Sequence, residues 1–178
     1  MRAGTIPERI VWAVEMLNID RSDQVLEIGC GQGLAVPLVC EKLDGGTLTA
    51  IDRSRKMIAA ALERNHALAA AGKVQFEAVA LANADFARYR FSRIFAINVN
   101  LFWLDLSPEF LIVRQLLQPG GALHLVYEPP NPAQIKRIAD KLARNLKEGG
   151  FVLDTVISGH APSARALCMI ARPGRGKR

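Results

Sequence analysis

The chain has 178 residues, 50% of them hydrophobic, and a formal net charge of +6 with a pI near 9.6. That length can bury a substantial core in one domain without disulfides or metals. No stretch reaches the roughly 20 uninterrupted apolar residues that a membrane span requires.

The start of the chain, Met1 to Glu8, runs into an amphipathic stretch rather than an apolar signal core. Thr5 followed three residues later by Glu8 resembles a capping box. Ile10, Val11, Val14 and Leu17 then share one face of a helix expected from about Pro7 to Leu17. Gln24-Val25-Leu26-Glu27-Ile28 reads as the first strand and runs into a glycine turn. A helix follows from about Leu34 to Leu43 and stops near Gly45-Gly46. Thr47 to Ile51 is the second strand and ends at Asp52. The Ala-rich run from Arg55 to Ala71 is expected to be one helix closed by Gly72.

Val74 to Val79 and Ile94 to Ile97 supply the third and fourth strands. Ser107-Pro108 opens the next helix as cap and first-turn proline, and Pro119-Gly120-Gly121 ends it. Ala122 to Tyr127 is the fifth strand, and a helix from Asn131-Pro132 to Gly149-Gly150 follows. Two last apolar runs, Phe151 to Ile157 and Ala166 to Ala171, are separated only by a short loop holding Gly159 and Pro162. No helix fits between them, so they must be antiparallel. The expectation is a doubly wound α/β fold with a mostly parallel sheet and a C-terminal antiparallel hairpin. It fills one domain, residues 1–172, and residues 173–178 read as a disordered basic tail.

Cys30, Cys40 and Cys168 have no CxxC or Cys/His spacing. They give no metal-ligand pattern and suit reduced thiols in a cytoplasmic protein. Lys136, Arg137, Lys141, Arg144 and Lys147 fit the solvated face of one helix, with no aromatic residues interleaved for base stacking. The basic balance allows RNA or another anionic partner without identifying one.

The stretch richest in chemistry is Glu27-Ile28-Gly29-Cys30-Gly31-Gln32-Gly33. A strand that enters a glycine turn lets a ligand approach backbone where side chains would collide. The spacing is GxGxG, because position 34 is Leu, whereas a dinucleotide fingerprint needs GxGxxG. Glu27 also puts an acid beside the turn, which disfavours phosphate and suits a cationic ligand. Asp52 ends the next strand 19 residues after Gly33, placed to accept hydrogen bonds from both hydroxyls of a ribose.

In these features the chain resembles the class I S-adenosylmethionine-dependent methyltransferases. VLEIGCGQG is similar to their first motif, and AIDRSRKMI to their second-strand signature. LLQPGGALHLV resembles their fifth-strand entry, and the terminal hairpin fits their seven-stranded sheet. The resemblance spans about residues 7 to 172. It implies S-adenosyl-L-methionine as cofactor, with Glu27, Gly29, Cys30, Gly31 and Gly33 along the methionine part and Asp52 on the ribose diol. It also puts Arg53 beside the adenine, where the family usually has an apolar residue; stacking and plain surface exposure both remain open for it. The acid that often holds the adenine amino group is missing. Its triplet aligns with Val79-Ala80-Leu81, so Ala80 and Leu81 are expected at the adenine, with Asn83, Asp85 or a backbone carbonyl as the substitute for the acid.

The acceptor is expected beyond the carboxyl ends of the fourth and fifth strands. Asn98 is the candidate for a cofactor or acceptor hydrogen bond, against a role in holding its loop. Glu128 is the candidate general base, against capping the next helix or pairing with an arginine. Phe102 and Trp103 would wall the pocket or fill the core, and His160 is a surface histidine by default. Pro129-Pro130 matches the D/N-P-P-Y motif of base-modifying enzymes only in part, since it follows the wrong strand and ends in Asn131. The acceptor itself, a small molecule or a protein with RNA as the alternative, is not legible, and neither is the oligomeric state. An inactive cofactor-binding module and a nucleotide oxidoreductase remain as readings of a different class.

Overall fold

The computed structural model describes residues 6–87, 89–104, 108–158 and 166–174. Thr5, Ser107, Gly159, His160, Pro162 and the tail residues 175–178 lie outside the described residues, and so do the expectations attached to them.

Seven strands form one sheet: β1 (Gln24–Ile28), β2 (Thr47–Ile51), β3 (Val74–Glu77), β4 (Phe91–Ile97), β5 (Leu117–Tyr127), β6 (Phe151–Ser158) and β7 (Leu167–Pro173). Their order is β3-β2-β1-β4-β5-β7-β6. The first five pair in parallel, while β7 runs antiparallel to both β5 and β6. The expected fold class is what forms. The helices are α1 (Glu8–Met16), α2 (Val36–Lys42), α3 (Arg55–Arg64), α4 (His66–Ala70), α5 (Leu101–Leu104), α6 (Glu109–Leu116) and α7 (Gln134–Glu148). Strand order reverses between β1 and β4, and open α/β sheets take ligands outside the carboxyl edge at such a point.

Burial explains the arrangement. β1 is buried from Val25 to Ile28 and β4 at Ile94, Phe95 and Ala96, as central parallel strands covered on both faces must be. One core cluster joins Phe91, Phe102, Phe110 and Phe151 under α6 and α7, and a second joins Val14, Val36, Val39 and Phe95 under α1 and α2.

Several boundaries differ from expectation, among them β4, which starts at Phe91 rather than Ile94. The Ala-rich helix breaks at Asn65 (φ −114°), whose buried side chain donates to the Ala61 and Gly33 carbonyls at 2.9 and 3.1 Å. The side chain trades helix continuity for a tertiary clamp. The fifth strand starts at Leu117 rather than Ala122, because Leu117 pairs with Phe91 before the register shifts. Pro119-Gly120-Gly121 falls in that irregularity, where a missing N–H and a positive φ at Gly120 are tolerated. Finally, β7 extends through Arg172 and Pro173, and Arg172 pairs with Asp154 at 3.3 Å.

His124 lies in β5 beside Phe95 and Ile170 and is 3% exposed. Burial first, then the charges of Arg93 and Arg172, push its pKa down to about 4, with the Met16 backbone opposing them. The unfolded chain titrates near 6.5 and therefore takes up the proton first on acidification. Stability tied to His124 is full above about pH 6.5 and is lost as pH falls through about 4, on the order of 3 kcal/mol. Urea unfolding of His124→Leu should show a flatter loss across that window. A variant whose acid limb matches the parent would place the titration elsewhere.

Candidate functional site

The carboxyl edge is built around the glycine turn after β1. The Gly29 and Cys30 amides both donate to the Ile51 carbonyl, at 2.8 and 3.0 Å, and fasten the turn to β2. Gly29, Gly31 and Gly33 all have positive φ, which L side chains rarely adopt. The three are glycine for different reasons. A Cβ at Gly29 would meet Val99 Cγ2 at 2.6 Å, and one at Gly33 would meet Asn65 Nδ2 at 2.7 Å. A Cβ at Gly31 would meet no atom within 4 Å. The first and third glycines let protein pack on protein. The middle one faces open space.

Two acids frame this space. Asp52 accepts from the Gly31 amide through Oδ2 and from the Ser54 amide through Oδ1, both at 2.9 Å. It braces the turn from β2 and sets the start of α3, where Ser54 accepts from the Met57 amide at 3.4 Å. Glu27 is 4% exposed, and its Oε2 is buried with no hydrogen-bond partner among the described residues. Burial, and then the Asp52 charge, push the Glu27 carboxyl up to about 8. A buried acid in this condition is a standing cost that a cationic ligand would relieve. The geometry therefore fits a ligand with positive charge beside Glu27 and hydroxyls toward Asp52.

The remaining expected positions fall around this frame. Cys30 is buried, and burial, then Glu27 and Asp52, push its thiol well above the usual range, so it is not a nucleophile. Cys40 and Cys168 are pushed up by burial to about 11 and about 12. Arg53 is exposed at the turn between β2 and α3. Ala80 is half-buried and precedes a 3₁₀ turn, Leu81–Asn83, with the Leu81 side chain in the core. Asn83 is exposed, and the exposed Asp85 accepts from the Ala87 amide at 3.3 Å.

Beyond β4 and β5 lies a half-open cleft of about 770 Å³ lined by Asn98, Trp103, Tyr127, Glu128 and Pro130 among others. Asn98 turns the chain in the left-handed region (φ 55°), where Asn is tolerated. Its amide donates to the Val126 carbonyl and its Oδ1 accepts from the Glu128 amide, both at 2.8 Å. It ties the two strand ends together and fixes where Glu128 emerges. Glu128 pairs with Arg9 of α1 at 3.8 Å, the arginine partnership left open above. Trp103 lines the cleft and donates to Asn100 Oδ1 at 3.1 Å, while Phe102 is wholly buried in the core.

Arg9 and Asn65 were not singled out from sequence, and Tyr127 only as part of the fifth-strand end expected at the acceptor. Tyr127 donates to the Val99 carbonyl at 2.7 Å, and Val99 is the residue packed on Gly29. Through that contact the end of β5 is coupled to the glycine turn. Burial raises the Tyr127 phenol well above its ordinary value, so it serves as a strut rather than a base. No local pattern marks Arg9 or Asn65; only the tertiary fold brings them to the site. No group of metal-ligating side chains occurs among the described residues, and none of their helices is long and apolar enough to cross a membrane.

Comparison with known proteins agrees with this geometry. The pattern of the family described as "Methyltransferase domain" matches residues 25–121, more than half of the chain. An uncharacterized methyltransferase, YdaC, of Bacillus subtilis is 22% identical over 149 residues, covering 79% of this chain and 77% of its own. The chain spans only 27–50% of three longer relatives that it also matches. Among solved structures, a SAM-dependent methyltransferase from Aquifex aeolicus superposes with a TM-score of 0.72 at 16% identity, covering 91% of this chain and 88% of that one. The SpnF cyclase superposes with a TM-score of 0.73 at 16% identity, over 95% of this chain and 82% of that one. At such identities the superpositions establish the fold alone.

Proposed function

The chain belongs to the methyltransferase-domain family and is an S-adenosylmethionine-dependent enzyme; from that premise we propose that it methylates a small-molecule or protein acceptor held in the cleft beyond β4 and β5. The observation that carries the reading is Glu27, a buried acid with an unpartnered oxygen on the strand that enters the glycine turn, where Gly31 faces open space. We assign the methionine part of the cofactor to Glu27, Gly29, Cys30, Gly31 and Gly33 and the ribose to Asp52. The adenine is assigned to the neighbourhood of Arg53, Ala80 and Leu81. When bound, the cofactor supplies a methyl group on a sulfonium whose leaving group is neutral. The protein's task is then mainly orientation and exclusion of water, with a base needed only for an acceptor that carries a proton.

Asn98 fixes the acceptor edge and reaches the cofactor boundary through its neighbour Val99. Among the described residues Glu128 is the one carboxylate lining the cleft, and it takes the role of proton acceptor. The three separate, buried cysteines support a cytoplasmic setting. The basic residues of α7 give an RNA acceptor no added support, since Lys136 pairs with Asp140 and Lys141 donates to the Leu104 carbonyl.

Substitution at Gly31 tests the cofactor assignment. Gly31→Ala meets no protein atom, so folding should survive with a backbone strain of roughly 1–2 kcal/mol. Its methyl group would occupy the ligand's space and weaken S-adenosylmethionine binding by at least about tenfold, or about 1.4 kcal/mol. Gly33→Ala, which collides with Asn65 and Ala61, should instead destabilise the fold. Calorimetry with thermal unfolding separates the two effects, and unchanged affinity in Gly31→Ala would move the ligand off the turn.

A further inference from the structure

The glycine turn is tethered from outside at its entry, its centre and its exit. At the entry the Gly29 and Cys30 amides donate to the Ile51 carbonyl of β2. At the centre the Gly31 amide donates to Asp52 Oδ2 at 2.9 Å. At the exit the Gly33 carbonyl accepts from Asn65 Nδ2 at 3.1 Å. The last two tethers stand at opposite ends of α3: Asp52 Oδ1 accepts from the Ser54 amide at its head, and Asn65 is its C-cap. The helix is a brace laid across the turn.

Asn65 is costly where it stands. It interrupts an Ala-rich run that would otherwise continue as helix into α4, and its amide is buried at 5% exposure. The same Nδ2 donates to the Ala61 carbonyl at 2.9 Å, so its two hydrogens serve one carbonyl of the helix and one of the turn. Contact at the exit is close, since a Cβ on Gly33 would meet Asn65 Nδ2 at 2.7 Å. Glycine has the most backbone freedom to lose, and Gly33 is the last of three in this turn with positive φ. A turn this free needs an outside tether to present one shape to a ligand. A preformed site binds more tightly, because less ordering is left to the moment of binding.

We propose that Asn65 is a positioning residue for the cofactor: acting through the Gly33 carbonyl, it holds the exit of the turn in the shape that receives the methionine part. The proposal rests on the assignment of that part of S-adenosylmethionine to the turn. Asn145, the other buried asparagine among the described residues, is the natural comparison. Its Nδ2 donates to the Phe102 carbonyl at 3.1 Å, away from the turn.

The test is calorimetric titration of the full chain with S-adenosylhomocysteine and with 5′-methylthioadenosine, which lacks the amino-acid chain. Asn65→Leu keeps a branched side chain and removes its donors. It should weaken S-adenosylhomocysteine about tenfold and 5′-methylthioadenosine less than about threefold. Asn145→Leu removes a buried donor of the same kind at a distant place. It should lower stability in urea and leave both affinities within about twofold of the parent. A second measurement needs no variant. Followed by NMR in the parent chain, hydrogen exchange of the Asn65 side-chain amide should slow several-fold with S-adenosylhomocysteine, and that of Asn145 should not change. The inference is overturned if Asn65→Leu keeps parental affinity for S-adenosylhomocysteine, if both ligands weaken by the same factor, or if exchange at Asn65 is blind to the ligand. Should Asn65→Leu fail to fold, the exchange measurement on the parent decides alone. Failure of S-adenosylhomocysteine itself to bind the parent chain would instead overturn the cofactor reading beneath it.

Discussion

Replacing Glu27 by Gln should stabilise the ligand-free protein at alkaline pH and weaken S-adenosylmethionine binding in the same variant. The Glu27 carboxyl is pushed up to about 8 in the folded state, by burial and then by Asp52. In the unfolded chain it titrates near 4.5. Between those values the folded state holds the extra proton, so stability falls as pH rises through about 8. The integrated loss is on the order of 5 kcal/mol for a shift of this size. Gln has nearly the same shape and no charge to desolvate, so the alkaline limb of the variant's stability curve should flatten. The ligand sees the opposite. A cation beside residue 27 favours the ionised carboxylate, so binding to the parent chain should expel a proton below about pH 8. Affinity should rise with pH and then level, while Glu27→Gln stays flat and binds about ten- to a hundredfold more weakly at alkaline pH. Chemical unfolding across pH, paired with titrations in buffers of different ionisation enthalpy, reads both effects. A variant that loses stability at alkaline pH, or keeps parental affinity there, contradicts the role given to Glu27.

Asp52→Ala should weaken cofactor binding by roughly 1.5–3 kcal/mol, the usual loss of a charged hydrogen-bonding partner. Asp52 also has a structural task, whatever it does for the ligand. Its oxygens accept the Gly31 and Ser54 amides, so removing them loosens the turn in addition to the proposed ribose contact. Asp52→Asn keeps one acceptor oxygen and should fall between the parent and Ala. Folding should persist in both, because Asp52 sits half-buried at an edge and not in the core. Equal affinities in the parent and Ala proteins would remove Asp52 from the site.

Much of this site was legible because it is local in sequence. The strand, the glycine turn and Asp52 declare themselves through period, spacing and residue type, and β1 and β2 fall where the pattern put them. What escaped is tertiary. Nothing in the Ala-rich run from Arg55 to Ala71 marks Asn65 as a break, since its reason is the Gly33 carbonyl 32 residues away. Arg9 likewise reads as one more charge on an amphipathic helix until α1 is laid against the end of β5. The early start of β5 was hidden by Pro119-Gly120-Gly121, which looks like a stop and is absorbed by a register shift. Asn98 shows the limit of positional argument: it stands at the end of β4 as expected, but its hydrogen bonds go to the end of β5.

The most direct measurement is a calorimetric titration of the purified chain with S-adenosylmethionine, S-adenosylhomocysteine, NADH and NADPH under one buffer and salt. Both adenosyl ligands should bind and both nicotinamides should bind far more weakly, because the turn is spaced GxGxG with Glu27 buried beside it. Nicotinamide binding equal to or tighter than that of S-adenosylmethionine would contradict the account.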